Sequence, residues 1–303
     1  MTRPLRLAVT GSQGQVARAL VERGTQANVE IIALGRPKLD LLEPAGIFAA
    51  LEAARPDVVV SAAAYTAVDL AESHSAEADA INAIGAGAVA KAAAKLGAPV
   101  VHLSTDYVFD GLLARPYHED DLTGPVGAYG RSKLAGERAV AVGNPDHAIL
   151  LTAWIFSPFG KNFVRTMLQL AATREEISVV ADQQGAPTSA HDIADGVIRV
   201  ARNLKADLAP RLRGIFHLTA QGDATWAEFA EAIFVLSRQA GGPFARVKPV
   251  PTSAYPTLAR RPPNSRLDNS KIAREHGVVL PHWHEALAVC MARLVPGEFK
   301  KAS

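Results

Sequence analysis

Five short apolar runs, alternating with stretches of helical periodicity, restrict what this chain can fold into more than any other feature. They are LRLAVT (Leu5 to Thr10), VEIIAL (Val29 to Leu34), DVVVS (Asp57 to Ser61), PVVHLS (Pro99 to Ser104) and HAILLT (His147 to Thr152). Runs of this length, rich in Val, Ile and Leu, read as strands buried on both faces. Strands that alternate with helices call for right-handed βαβ crossovers and a parallel sheet. The expected fold class is therefore α/β, a doubly wound parallel sheet. Past Gly160 the alternation loosens into mixed helices, short strands and proline-rich loops such as YPTLARRPPNSRLDN. The boundaries read from this change are a first domain over 1–155 and a second, smaller α/β domain over 156–303, from which one or two strands can return to the first sheet.

The first crossover carries a glycine turn, GSQGQVA, between strand and helix. Gly11 permits the sharp turn and Gly14 a close backbone approach to a pyrophosphate. Ala17 allows tight packing of helix on strand, and the N–H groups of Gln13, Gly14, Gln15 and Val16 face the phosphates. Taken alone, the spacing also fits an ordinary strand-to-helix turn. The second strand ends in Gly35-Arg36 rather than in Asp or Glu. An arginine there accommodates a 2′-phosphate, which favours NADPH over NADH, unless Arg36 is simply a solvated loop charge. Asp40, beside Leu41, is either an adenosine contact or part of the cap of the helix starting near Pro44. The small residues Ala62, Ala63 and Ala64, followed by Tyr65, suit a backbone lying against a flat cofactor.

The chemistry sits between Val101 and Glu137. The fourth strand ends in STDYVF, where ligands bind in an open α/β sheet, and AYGRSKLAGE follows on a helix. Tyr129 and Lys133, four residues apart, share one helical face. An ammonium about 4 Å from a phenol favours phenolate by up to about 4 kcal/mol at an effective dielectric near 20. Tyr129 is thus the candidate acid, Lys133 its tuning and ribose-binding partner, and Thr105 a polariser of the carbonyl. The bland alternative is a half-buried Tyr129 beside a solvated Lys133. Asp106 is either an orienting group or a turn cap. Tyr107, Phe109 and Trp154 are either pocket lining or core aromatics. His282 and His284 around Trp283 lack a third ligand and read as a surface feature, and Arg260-Arg261 either pairs with a diphosphate or is a solvated charge pair.

Composition excludes other classes. With 32 Lys+Arg against 30 Asp+Glu, the formal net charge of +2 makes no case for nucleic acid or a membrane surface. The lone cysteine, Cys290, rules out an intrachain disulfide. No leader-like apolar segment precedes the first strand and no run of about 18 apolar residues follows, so the expected location is cytoplasmic.

The motifs together resemble the extended short-chain dehydrogenase/reductases and, within them, the dTDP-4-dehydrorhamnose reductase family. The resemblance rests on GSQGQVA, AAAYTAVDLAE, STDYVFDG, AYGRSKLAGE, TAWIF, KNFVRTML, DQQGAPTSAHDIAD, VPTSAYPTLARRPPNSRLDNSKI and LPHW, which together span nearly the whole chain. It implies a Rossmann-type cofactor domain, a smaller nucleotide-sugar domain, NADPH or NADH, and reduction of a 4-keto sugar linked to dTDP. It also implies that Thr105, Tyr129 and Lys133 are the catalytic trio. Val68, Tyr107 and Trp154, with Asp106, would line the sugar pocket, and Arg261, Asn264 and Ser265 would face the sugar nucleotide. Two positions depart from the common pattern: Ser61 stands where Asn is usual, and Leu151 where Arg is usual. Some relatives are dimers bridged by magnesium on glutamates; here Ala19 and His191 occupy those places, so no metal is expected, while a homodimer stays open. The resemblance extends to a non-catalytic NADP-binding regulatory subunit, that of methionine adenosyltransferase, and to reductases of other nucleotide sugars.

Overall fold

The computed structural model describes residues 3–299. Its first part runs β1 (Leu5–Thr10), α1 (Gln15–Gln26), β2 (Val29–Leu34), α2 (Pro44–Ala54) and β3 (Val58–Ser61). The crossover to β4 (Val100–Thr105) comprises a 3₁₀ turn (Leu70–Glu72), α3 (Ser75–Asp79), a π-helical turn (Ala80–Gly85) and α4 (Ala86–Lys95). The sequence from about Ala76 to Leu96, ending at Gly97, predicts one unbroken helix there. The π turn carries Asn82, a buried side chain used at the site described below. Helix α5 (Ala128–Gly143) then leads into β5 (His147–Thr152).

The second part contains β6 (Ile155–Phe156), α6 (Phe163–Ala171), β7 (Glu176–Val180), β8 (Gln184–Gly185), β9 (Thr188–Ser189) and α7 (Ala190–Ala206). After these come β10 (Gly214–His217), β11 (Ala224–Thr225), α8 (Trp226–Gln239), β12 (Arg246–Val250), α9 (Ser270–His276) and α10 (Trp283–Glu298).

The main sheet has six parallel strands in the order β10-β5-β4-β3-β1-β2. Winding reverses direction between β1 and β3, which makes the crevice beyond their C-terminal ends the expected ligand position. Strand β10 crosses back from the second part and pairs with β5 from Gly214↔Ala148 to His217↔Leu151. Without it the open edge of β5 would leave a row of unpaired backbone groups. Helix α7 returns as well, packing on α1 over one face of the sheet. On the opposite face α2 and α4 cover a second apolar layer. A third core, around Phe156, Phe229, Phe234 and Trp283, belongs to α6, α8 and α10 with the short β7–β12 pair. Among the described residues no helix is long and apolar enough to cross a membrane.

Candidate active site

Four of the predicted cofactor positions meet at the β1/β3 switch. Gly11 ends β1 at φ +88°, and a Cβ there would lie 3.4 Å from the Cβ of Ala63. Only glycine adopts this turn without strain. Thr10 Oγ1 accepts both the Ala62 and Ala63 N–H groups at 3.0 Å, fixing the small-residue loop beside the glycine turn. Helix α1 starts at Gly14 with no side-chain cap and no acidic residue in its first turn, and a Cβ on Gly14 would meet nothing within 4 Å. The first N–H groups of α1 are therefore open toward an anion. Gly35 packs against Ser12, so the exposed Arg36 that follows it stands next to the same turn.

Other predicted cofactor residues have different surroundings. The Gln15 side chain turns toward the second part of the chain, accepting from Ser157 Oγ at 2.7 Å and Asn162 Nδ2 at 3.0 Å. Val16 and Leu41 are buried in the two cores, which leaves only their backbone for a ligand. Asp40 Oδ1 accepts the Leu42 N–H at 3.0 Å, a local turn of the Asx kind. Gln13 is exposed, and Ala64 and Tyr65 are half-buried. Asn82 was not picked out by sequence reasoning. From the π turn its Oδ1 accepts the Tyr65 N–H at 2.8 Å, and its Nδ2 donates to Tyr65 O and to Ser132 Oγ. It ties the loop after β3 to α5, and the only sequence signal for it is an amide inside the otherwise apolar run 80–90.

Thr105 closes β4, and Tyr129 and Lys133 rise from the start of α5. That helix begins at Gly127 without a side-chain cap of its own; Glu72, from the 3₁₀ turn, accepts the Ala128 N–H at 2.8 Å instead. Thr105 Oγ1 donates to Asp106 Oδ1 at 2.8 Å. Thr105 also lies against the Tyr129 hydroxyl, and its hydrogen bond there opposes the upward push that burial gives the phenol. Tyr107 meets Tyr129 edge to face, with ring centroids 5.9 Å apart. The Asp106 carboxyl is buried and pushed up to about 7, chiefly by desolvation, with Thr105 and Ser265 acting against the shift. Thr105, Asp106, Tyr107 and Tyr129 thus meet at the C-terminal end of β4.

The Lys133 amine reaches toward β4. Its Nζ donates to the Leu103 carbonyl at 2.7 Å and lies 3.5 Å from His102 Nε2. The pairing of β3 with β4 stops at Ser61↔His102, so the Leu103 carbonyl lies just past the last paired residue of β3. A buried ammonium takes the nearest such acceptor because an unsatisfied charge is costly. Burial brings Lys133 down to about 8. The phenol, by contrast, moves up, pushed chiefly by burial and also by the Asp106 carboxyl, with the Thr105 hydrogen bond acting against the shift. The phenol is therefore protonated at neutral pH.

The predicted sugar-side residues form a continuous wall. Arg261 donates to Asp69 Oδ2 at 2.8 Å, next to the half-buried Val68, and its guanidinium also lies against the Tyr107 hydroxyl. Ser265 joins this wall through Gln184, to whose carbonyl both its N–H and its hydroxyl donate. Gly185 comes next, and its backbone lies against the indole of Trp154. Trp154 has φ +47° and stacks on Trp226 with centroids 3.5 Å apart. Trp226 is a second aromatic that sequence reasoning did not assign. Asn264 is fully engaged elsewhere: Nδ2 donates to Leu113 O and Arg115 O, while Oδ1 accepts from Arg266. It pins two loops together. His191 pairs with Glu22 at 2.7 Å, and Arg293 reaches the same carboxylate at 2.8 Å. Among the described residues no group of three or more His, Cys, Asp or Glu comes together as a metal site.

A doubly wound sheet with a glycine turn at its switch point, and a Tyr–Lys helix facing a threonine at the next strand end, defines a short-chain dehydrogenase/reductase type of protein. Residues 5–295 match the family described as the RmlD substrate binding domain, and the chain belongs to that family. It is 51% identical to a dTDP-4-dehydrorhamnose reductase of Sinorhizobium fredii, over 93% of this chain and 95% of that protein. A dTDP-4-dehydrorhamnose reductase of Burkholderia thailandensis is 45% identical over 96% and 99% of the two chains. Among solved structures, the dTDP-4-dehydrorhamnose reductase of Clostridium acetobutylicum superposes with a TM-score of 0.89 at 36% identity, covering 96% of this chain and 99% of that one. The Bacillus anthracis enzyme, solved in complex with NADP, gives 0.88 at 34% identity over 95% and 99%.

Proposed function

We propose that this chain uses NADPH or NADH to reduce the 4-keto group of a dTDP-linked 6-deoxyhexulose, yielding dTDP-L-rhamnose. The observation that carries the reading is the 51% identity, over nearly the full length of both chains, with a dTDP-4-dehydrorhamnose reductase. The nicotinamide, when bound, supplies the hydride. Gly11, Gly14 and the open N–H groups at the start of α1 would hold the pyrophosphate, Arg36 the 2′-phosphate, Asp40 and the Leu41 backbone the adenosine, and the Ala62–Tyr65 backbone the flat ring system. In this reading the first 155 residues are mainly the cofactor domain and residues 156–303 mainly the sugar-nucleotide domain.

Tyr129 delivers the proton to the sugar oxygen. Burial keeps the phenol protonated until that moment, as a donor requires. Thr105 polarises the carbonyl by turning its one hydroxyl proton from Asp106 to the ketone oxygen. Lys133, through an N–H not used by Leu103, holds the ribose and offsets negative charge as it develops on the phenol. Tyr107, Asp106, Val68, Trp154, Arg261 and Ser265 wall the sugar side, and Asn264 supports that wall from behind. The finer points of the same reading are a cytoplasmic site of action, supported by the nicotinamide dependence, and a homodimer; the Glu22–His191–Arg293 cluster on α1, α7 and α10 is a surface where two copies can be tested.

The test is oxidation of NADPH and NADH with enzymatically generated dTDP-4-keto-L-rhamnose, alongside UDP-linked analogues. Turnover is expected with the dTDP sugar. Tyr129→Phe should lower kcat by about 100-fold or more, as loss of a general acid does, with cofactor affinity unchanged. No oxidation with any of these sugars would overturn the reading.

A further inference from the structure

Behind Lys133 lies a buried polar chain that the reaction as described does not use. His102 is 1% exposed and projects from β4; its Nδ1 is 3.0 Å from Ser61 Oγ on β3, and its Nε2 faces Lys133 Nζ at 3.5 Å. We propose that His102 is a positioning residue for Lys133: its Nε2 accepts one ammonium N–H, Leu103 O accepts a second, and the third is thereby aimed into the cleft at the nicotinamide ribose. The inference rests on the reading of Lys133 given above and adds to it.

Donor accounting fixes the details. An ammonium offers three donors and no acceptor. Its contact with Nε2 is therefore a hydrogen bond only if that nitrogen carries a lone pair. The ring proton is then on Nδ1, donating to Ser61 Oγ. A neutral imidazole meets this condition, and burial beside the ammonium pushes His102 well below its ordinary range. The charged and titratable groups around the pair are few. Glu137, one turn along α5, favours the ammonium and accepts from the Ser104 hydroxyl. Arg138 acts on Glu137, and His147 on β5 acts on His102. None of these supplies an acceptor on the β3 side of Nζ. Ser61 stands at that side, and its hydroxyl accepts the Nδ1–H that the ammonium's demand on Nε2 leaves on the ring.

The experiment is the pH dependence of kcat for the full-length protein with NADPH and the dTDP-4-keto sugar, together with NADPH affinity by fluorescence titration. Removing the acceptor disfavours the charged form of Lys133, so in His102→Phe the alkaline limb should move down by about one pH unit. NADPH should bind several-fold more weakly. His102→Gln, which can present an amide oxygen near the position of Nε2, should restore both. A His102→Phe protein that keeps the parent limb and affinity, or a Gln variant no better than Phe, would overturn the proposal. If His102→Phe does not fold, Ser61→Ala serves instead: a smaller shift in the same direction supports the proposal, and an unshifted limb overturns it. Lys133→Met separates the two layers. If it turns over normally, the reading of Lys133 itself fails. If it is inactive while the His102 and Ser61 variants behave as the parent, only the present proposal fails.

Discussion

Replacing Gly130 by alanine tests whether the packing of one helix places the proposed proton donor, Tyr129. A Cβ on Gly130 would lie 2.2 Å from the Tyr107 carbonyl oxygen and 2.9 Å from Pro125 Cβ. Restoring an ordinary carbon–oxygen contact requires about 1 Å of separation between the start of α5 and the turn after β4. The obstacle is backbone, so it cannot rotate out of the way. Overpacking of this kind costs about 1–3 kcal/mol, and alanine returns roughly 1 kcal/mol of helix propensity. The net expectation is a loss of up to about 2 kcal/mol, a fall of several degrees in Tm. Activity should suffer more. Tyr129 is the neighbouring residue, and a displacement of about 1 Å from the productive geometry costs about 100-fold in rate. Gly46→Ala, at an exposed position of α2 with nothing within 4 Å of the new methyl, is the control. It should be stabilising by about 0.5–1 kcal/mol with unchanged kcat. Steady-state NADPH oxidation and thermal melts of both variants decide the matter. A Gly130→Ala protein with parental kcat would refute the claim that contact between α5 and Tyr107 sets the position of the phenol.

Two further outcomes follow from the same geometry. Arg36→Ala should raise the KM for NADPH about tenfold and leave that for NADH nearly unchanged, because only the former loses a charge-assisted contact; equal effects on both cofactors would remove Arg36 from the site. Glu137 is pushed up to about 7 by burial, so the folded state holds its proton more tightly than the unfolded chain does. Its stabilising contribution is complete below the unfolded value and is lost as pH rises through 7. Glu137→Gln cannot ionise, so its Tm relative to the parent should climb between pH 5 and pH 8, by the equivalent of about 2 kcal/mol. A difference that stays flat with pH would show the carboxyl to be ionised throughout.

Periodicity and small-residue spacing determined much of this protein before any coordinate. Five apolar runs set the parallel sheet, because a strand buried on both faces must be apolar along its whole length. Gly11, Thr105 and Tyr129 declared themselves because a turn, a strand end and a helix face are local properties, readable from neighbours in the chain. Interactions between residues distant in sequence were not readable in this way. Asn82 reaches Tyr65 and Ser132, Glu72 caps a helix that begins at residue 128, and β10 completes a sheet whose other strands end by residue 152. The one-turn spacing put Lys133 on the face of Tyr129, but only the tertiary structure decided where its amine points. A long flexible side chain in a buried site goes to whichever acceptor the fold leaves unpaired, here the Leu103 carbonyl beyond the end of β3. The candidate reactive groups are thus declared locally, while their orientation is decided by where strands of different lengths happen to stop.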